Sequence, residues 1–371
     1  MNAGDTDHRH MHAALALARS ARPITPPNPA VGCVIVGTDG QVIGTGATQA
    51  TGGPHAEVMA LRDVAARGAA AQGACAYVTL EPCSHFGRTP PCADALVAAG
   101  LARVVVALTD PNPLVAGRGV ERLRAAGIEV LTGVLSEEAR WLNIGFFSRM
   151  QRGRPWVRLK LAASLDGRTA LPDGRSQWIT SAQAREDGHR FRARAGAVLS
   201  GVGTVIADDP RLDVRLDGAA RQPLRVIVDS LLRTPPQARL LAPPGQVLIA
   251  TAQDQMSLAE PLRARGAEVQ LLPDAQRRVD LDALLRLLAQ RGVNEVHVEA
   301  GARLAGALLA AERVDELLVY LAPKLIGPGL NMLESPALAN LGAAVPLRWL
   351  SVQQVGPDLR LRAVVADQDR F

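Results

Sequence analysis

The segment Pro54-His55-Ala56-Glu57, answered by Glu81-Pro82-Cys83 and then by Cys92, constrains this chain more than any other feature. One histidine, a glutamate two residues on and two cysteines are the parts of a zinc-dependent deaminase site. His55, Cys83 and Cys92 offer three ligands of the kind zinc prefers, which leaves the fourth tetrahedral position for water. Glu57, beside the metal rather than bound to it, would carry protons between that water and the substrate nitrogen. A His-x-Glu pair alone means nothing; with Pro-Cys at a strand end and a further Cys beyond it, the pattern points to metal chemistry. It departs from the usual nucleobase-deaminase signature, whose cysteines are two residues apart. Here eight residues, from Ser84 to Pro91, separate Cys83 from Cys92.

The flanking pattern alternates helix and strand. Met11, Leu15 and Ala18 fall on one face of a helix over residues 10–19. Pro26-Pro27-Asn28-Pro29 then breaks the chain before a strand at 31–36, and Asp39-Gly40 turns it into a second at 42–46. A helix over 55–67 puts His55 and Glu57 at its positive end, which favours an ionised Glu57. A strand at 76–80 leads into Cys83, and Cys92 opens a helix over 93–99. Strands at 103–108 and 128–131, with a short helix over 141–152, complete an α/β sandwich on a mixed sheet.

A length of 371 residues exceeds one ordinary core, so two domains are expected, 1–150 and 151–371, joined at the basic Gln151-Arg152-Gly153-Arg154-Pro155. Beyond the join, strands are expected at 156–162, 225–229, 247–250, 268–272, 295–299 and 317–323, and the clearest helices at 281–291 and 301–311. Two glycine turns, Ser200-Gly201-Val202-Gly203-Thr204 and Glu299-Ala300-Gly301, each run from a strand into a helix, where small residues let a helix N-terminus approach a phosphate. Neither is a Rossmann fingerprint, because Ile206 stands where the third glycine would be. On the residues alone, a dinucleotide site and ordinary α/β packing both remain open.

Composition narrows the ligand. Aromatic residues are 3% of the chain, few for a protein that stacks single-stranded bases. A net charge of +5 without a long basic run suits a phosphorylated small molecule better than a polyanion. Four cysteines do not make a disulfide framework, and Cys33 and Cys75 read as buried free thiols. Residues 1–12 are polar and histidine-rich with no signal-peptide core, and no apolar run reaches the roughly 18 residues that span a bilayer. A cytoplasmic location is expected.

The insert between the cysteines carries a family resemblance. Residues 77–94, Y-V-T-L-E-P-C-S-H-F-G-R-T-P-P-C-A-D, closely resemble the deaminase half of the RibD family of bifunctional riboflavin-biosynthesis proteins. So do T-P-P-N-P-A-V-G-C at 25–33 and D-P-N-P-L-V-A-G-R-G at 110–119. In the second half, K-L-A-A-S-L-D-G-R-T at 160–169, S-Q-W-I-T at 176–180, G-T-V-I-A-D-D-P at 203–210 and V-E-A-G at 298–301 resemble the family's reductase. The match thins over 231–280 and after 333, where nothing is carried over.

The resemblance implies a cytidine-deaminase-like three-layer α/β domain followed by a dihydrofolate-reductase-like α/β domain. It implies zinc on His55, Cys83 and Cys92, with Glu57 as proton shuttle, and a pyrimidine and ribose-phosphate pocket containing Asn28, Asp110 and Asn112. His85 and Arg88, on the insert, are further candidates to meet a phosphate. For the second half it implies NADPH contacts at Ala162, Trp178, Thr204, Asp208, Ser230, Gly301, Ala302, Arg303, Leu304, Ala305, Gly306 and Ala307. Its substrate contacts would be Ser176, Arg192, Leu212, Arg215 and Glu299; each of the two arginines is suited either to phosphate or to a surface salt bridge. The implied activity is hydrolytic deamination of a diaminopyrimidinone ribose phosphate, then reduction of the ribosyl chain to ribityl, in a homo-oligomer (dimer or tetramer) that binds no nucleic acid. NADPH against NADH and the proton donor of the second step stay open. Two rivals stand beside it: a deaminase of nucleic acid, such as tRNA adenosine, with an accessory C-terminal domain, and a non-catalytic zinc module. A structural zinc site, however, closes its fourth position with a ligand and has no use for Glu57.

Overall fold

Helix α1 (Asp5–Ala21) is held by one stripe: Met11, Ala14, Leu15 and Ala18 recur at helical spacing and are fully buried. The computed structural model describes residues 4–84, 90–112, 116–219, 221–242 and 244–371, and the chain divides into two compact units, Met1–Arg152 and Gly153–Phe371. In the first, α1 is followed by β1 (Gly32–Val36), β2 (Val42–Ala47), α2 (Ala56–Ala66), β3 (Cys75–Val78), α3 (Cys92–Ala98) and β4 (Arg103–Val106). Helix α4 (Arg118–Ala125), strand β5 (Glu129–Thr132) and helices α5 (Ser136–Leu142) and α6 (Ile144–Arg152) complete it.

The five strands lie in the order β2-β1-β3-β4-β5. Strand β1 is antiparallel to both neighbours, whereas β3, β4 and β5 run parallel, a mixed sheet as expected. Alternate residues of β1 face opposite layers. Val34 and Val36 join Met11 and Leu15 in the core under α1. Cys33 pairs instead with Gly46, whose open face lies against α2. Covered on both sides, Gly-Cys-Val-Ile-Val is buried at every position. Cys33 is buried as expected, while Cys75 is only partly so.

One expectation needs correction. The helix anticipated over residues 141–152 is two helices, broken at Asn143. The cause is long-range: the Asn143 side chain accepts from Ala30 N at 2.8 Å and donates to Ala30 O at 2.8 Å, imitating a strand partner for a backbone segment 113 residues away. That exchange satisfies a buried peptide unit, and it holds the Pro-rich segment where the first pocket forms.

The second unit contains β6 (Trp156–Ser164), β7 (Arg168–Ala170), α7 (Ala182–Arg194), β8 (Ala197–Gly201), α8 (Val202–Asp208) and β9 (Leu224–Val228). It continues with β10 (Val247–Thr251), α9 (Met256–Arg263), β11 (Ala267–Leu271), α10 (Leu281–Gln290), β12 (Glu295–Val298) and α11 (Ala302–Ala310). Strands β13 (Glu316–Ala322), β14 (Leu330–Asn331), β15 (Leu347–Val355) and β16 (Asp358–Val365) end the chain. Nine strands form one sheet in the order β11-β10-β9-β8-β12-β6-β13-β16-β15, parallel from β11 to β13 and closed by the antiparallel β16 and β15. Val157, Leu159, Leu199, Val226, Leu248 and Val298 make its buried core. Arg158, also buried, sits between Glu295 and Glu316 at 3.0 Å from each, and Trp156 Nε1 donates to the same Glu316. The expected strands and helices of this half are present with ends shifted by one or two residues. Helices α7 and α9 and the β15–β16 hairpin were not anticipated. Among the described residues, no helix is long and apolar enough to cross a membrane.

Candidate active sites

His55 is the last extended residue before α2 (φ −75°, ψ 166°). Its carbonyl accepts the first helical bond, from Met59 N at 3.1 Å, while its side chain swings clear of the helix. Glu57, in the first turn, is 3% exposed. Cys92 is the first residue of α3, and its amide donates to the Cys83 sulfur at 3.3 Å. Cys92 Sγ stands 3.3 Å and Cys83 Sγ 3.6 Å from His55 Nδ1, and the three ligand atoms all lie within 4.8 Å of one another. Metal–ligand bonds of about 2.0–2.3 Å in a tetrahedron put ligand atoms roughly 3.5 Å apart, close to both distances from His55 Nδ1, so this donor set fits zinc.

The charges suit the same reading. A hydrogen bond between the two thiols favours the Cys83 thiolate, lowering the Cys83 pKa and raising that of Cys92. The His55 pKa is raised, first by its bond to Cys83. Burial pushes the Glu57 carboxyl up to about 7, the range in which one group both accepts and releases protons. Helix α2 is seated directly on β2: a Cβ added to Gly46 would lie 2.2 Å from Ala56 O and 2.3 Å from Ala60 N. No side chain intervenes between the strand and the turn that bears His55 and Glu57.

These groups open into a cavity of about 490 Å³. Its walls include His55, Glu57, Cys83, Asn28, Asp110 and Asn112, whereas Cys92 is fully buried and joins the site through its approach to His55 and Cys83 rather than through the cavity wall. Asp110 Oδ1 accepts from Asn112 N at 2.8 Å, fixing the turn that carries both. His85 and Arg88 lie outside the described residues. The sequence reading missed Thr48, Phe146 and Arg149, which also line the cavity. Arg149 Nη2 donates to Pro27 O at 3.1 Å beside Asn28.

In the second unit the candidates follow the sheet topology. Ala162 lies toward the end of β6, Thr204 in the helix after β8, Ser230 just beyond β9 and Gly301 just beyond β12. These strands are parallel, so their carboxyl ends share one edge, where open α/β sheets bind ligands. Gly301 N donates to Thr204 Oγ1 at 3.1 Å, bringing the two glycine turns together. Gly301 caps α11 with no side chain of its own and is exposed, with Ala302 beside it, a helix start that fits a phosphate-bearing cofactor, whereas Ala305 is buried in the core and Gly306 packs against the Glu334 backbone. Ser230 Oγ accepts from Val279 N at 3.1 Å, and Asp208 is exposed at the far end of α8. Trp178 is 63% exposed, with the Arg185 guanidinium 4.3 Å from its ring centre; Ser176 lies on the same segment.

Arg192 and Glu299 form a two-pronged pair, Nε–Oε1 at 2.7 Å and Nη2–Oε2 at 2.9 Å. Arg192 Nη1 donates to Asp213 O, so its whole fork faces protein groups. Arg215 is the more open of the two arginines; its Nη1 meets Asp213 Oδ1 at 2.6 Å, and Leu212 is buried beside it in the left-handed region (φ 54°). The Glu299 pKa lies well below the usual range: burial opposes the shift, but the Arg192 charge overcomes it. His189, absent from the sequence reading, receives Arg215 N at 3.4 Å and is held neutral by burial and the two arginines, its pKa down to about 4.

Known proteins match both halves. Residues 5–108 match the cytidine and deoxycytidylate deaminase zinc-binding region, and residues 155–361 the RibD C-terminal domain. The riboflavin biosynthesis protein RibD of Escherichia coli (strain K12) is 48% identical over 374 residues, covering 97% of this chain and 100% of that protein. Its counterpart from Aquifex aeolicus (strain VF5) is 42% identical, covering 96% and 97%. The structure of Acinetobacter baumannii RibD, form 1, superposes with a TM-score of 0.88 at 44% identity, covering 97% of this chain and 98% of that one. A diaminohydroxyphosphoribosylaminopyrimidine deaminase/5-amino-6-(5-phosphoribosylamino)uracil reductase from Thermotoga maritima gives a TM-score of 0.88 at 33% identity, covering 97% and 99%.

Proposed function

The chain belongs to the RibD family, and from that membership we propose that Met1–Arg152 carries the deaminase and Gly153–Phe371 the reductase of one two-step enzyme. The protein is a bifunctional riboflavin-biosynthesis enzyme, a zinc-dependent aminopyrimidine deaminase and a reductase, and its halves have the cytidine-deaminase-like and dihydrofolate-reductase-like α/β folds. The substrate of the first step is 2,5-diamino-6-(5-phosphoribosylamino)pyrimidin-4(3H)-one, and that of the second 5-amino-6-(5-phosphoribosylamino)uracil.

One observation carries the site assignment: His55, Cys83 and Cys92 converge beside a buried Glu57 at a cavity walled by Asn28, Asp110 and Asn112. A zinc ion held by the three ligands would supply Lewis-acid activation of a water, bringing its pKa to about 7. Glu57 takes up a proton at its carboxylate and returns it to the departing ammonia. Asn28, Asp110 and Asn112 orient the pyrimidine edge and the ribose phosphate.

In the second half NADPH would supply the hydride that converts the ribosyl carbon to ribityl. Gly301, Ala302, Arg303, Leu304 and Ala307, at the first turns of α11, receive it with Thr204, Ala162, Trp178, Asp208 and Ser230, while the buried Ala305 and Gly306 seat those turns from below. Ser176, Leu212 and Arg215 hold the substrate, and Arg192 keeps Glu299 ionised and aimed beside it. The protein's part is positioning at contact distance. A cytoplasmic homo-oligomer acting on small phosphorylated pyrimidines completes this reading.

The test is purified protein with the diaminopyrimidinone ribose phosphate, following ammonia and then NADPH absorbance. Ammonia release followed by NADPH oxidation is expected. Ammonia without oxidation of either nicotinamide would remove the cofactor assignment, and no ammonia from a zinc-loaded sample would remove the substrate.

A further inference from the structure

Helix α4 begins with Gly117 as its N-cap and has no side-chain cap of its own. Its first amides are taken by a residue from another element. Glu81, two positions before Cys83 and 4% exposed, accepts Gly119 N at 2.9 Å and Val120 N at 3.1 Å on Oε1. Its Oε2 accepts Gly117 N at 2.9 Å and Asp110 N at 3.1 Å. One buried carboxylate thus holds four backbone amides that span the start of the Asp110–Asn112 turn and the start of α4. An anion at a helix N-terminus is favoured by the dipole, and four N–H donors satisfy both of its oxygens.

The same seam is closed by close packing. A Cβ on Gly119 would lie 1.9 Å from Pro82 O, so α4 abuts the peptide that precedes Cys83. Arg122 Nη1 reaches Ser84 O at 3.4 Å and the Arg122 guanidinium pairs with Asp94 in α3. The segment that bears one metal ligand and the turn that bears Asp110 and Asn112 therefore share one anchor.

We propose that Glu81 is the positioning residue of the deaminase: it sets the Asp110–Asn112 turn at a fixed distance from Cys83, and so sets substrate binding rather than the chemical step. The proposal rests on the reading that Asp110 and Asn112 face the substrate. Glu81→Gln is nearly isosteric but turns an NH₂ group toward two amides that need acceptors, which frees one end of the turn.

The experiment compares Glu81→Gln, Gly119→Ala and Asn112→Ala with the parent enzyme by zinc content, deaminase KM and deaminase kcat. Gly119→Ala leaves the carboxylate chemically intact but pushes the same segment, its Cβ falling 1.9 Å from Pro82 O and 3.2 Å from Glu81 Cγ, and it stands in if Glu81→Gln fails to fold. The expected result is zinc content equal to the parent, kcat within about threefold and KM raised tenfold or more in all three variants. If Asn112→Ala raises KM while Glu81→Gln and Gly119→Ala leave it unchanged, the anchor has no part in binding and the proposal is overturned. Loss of zinc and kcat together in Glu81→Gln also overturns it, assigning the residue to the metal site. An unchanged KM in Asn112→Ala removes the pocket reading itself, a separate failure.

Discussion

Gly306 stands against the backbone of Glu334: a Cβ built on the glycine would lie 1.6 Å from that residue's carbonyl oxygen. Glu334 N in turn donates to Ala302 O at 3.2 Å. The first turns of α11 and the segment after β14 are therefore in direct backbone contact. Gly306→Ala must force them apart, at a cost of about 1–3 kcal/mol, and the displaced turn is the one assigned to the cofactor. NADPH oxidation is expected to fall tenfold or more while ammonia release stays within twofold. Equal loss of both activities would show a global defect instead.

Glu57→Gln keeps the shape of the first site but cannot relay a proton. Deamination is expected to drop by about 10²–10⁴-fold with zinc content and thermal midpoint near those of the parent. Retained turnover would mean that another group carries the proton.

Arg192 and Glu299 should behave as a coupled pair. Removing the cation in Arg192→Met leaves a buried carboxylate without its partner, which costs about 3–5 kcal/mol. Glu299→Gln should cost less, and the double variant should recover part of the loss. Urea unfolding of the four proteins measures the coupling, and strict additivity would show that the two side chains do not depend on each other. Reductase activity is expected to be lost in all three variants.

Asp7 ties α1 to the first sheet, accepting from Arg103 Nη1 at 2.7 Å and Tyr77 Oη at 3.0 Å. The bond from Arg103 lowers its pKa below the ordinary 3.8. A carboxylate whose folded pKa is depressed stabilises fully above its unfolded value and loses that contribution as pH falls through the folded one. Asp7→Asn is expected to lower stability by about 2 kcal/mol at neutral pH. The gap between parent and variant should narrow only as the pH falls below about 5. A gap that stays constant down to acid pH would show that the ionised form contributes nothing.

What the sequence revealed was what short spacing can carry. His55, Glu57 and Cys92 were readable because each lies at the start of a helix whose apolar period is visible within a dozen residues, and Cys83 because it follows a strand. The resemblance extended this to Asn28, Asp110 and Asn112, which the structure gathers at one cavity. Asn143 looked like an ordinary helical residue because the partner that breaks the helix, Ala30, is 113 positions away. Glu81 looked like part of a strand end, since the amides it holds lie 29 to 39 residues on. The β15–β16 hairpin was missed because β15 is an edge strand exposed along most of its length, so no alternation of apolar and polar residues marks it. Arg192 was legible as a cation, but its commitment to Glu299 depends on the approach of α7 to the end of β12.

The seating of α2 on β2 bears on how the first half acquires its metal. In small zinc modules the ion organises the chain, and its removal unfolds them. Here the bare face of Gly46 lets helix and strand lie flush, so His55 is lodged by contacts that owe nothing to a cation. Loading is then a matter of capture by a finished socket. The ion should be stripped by a chelator and restored many times without the chain passing through an unfolded state, and the vacated protein should keep the helix and strand content of the loaded one.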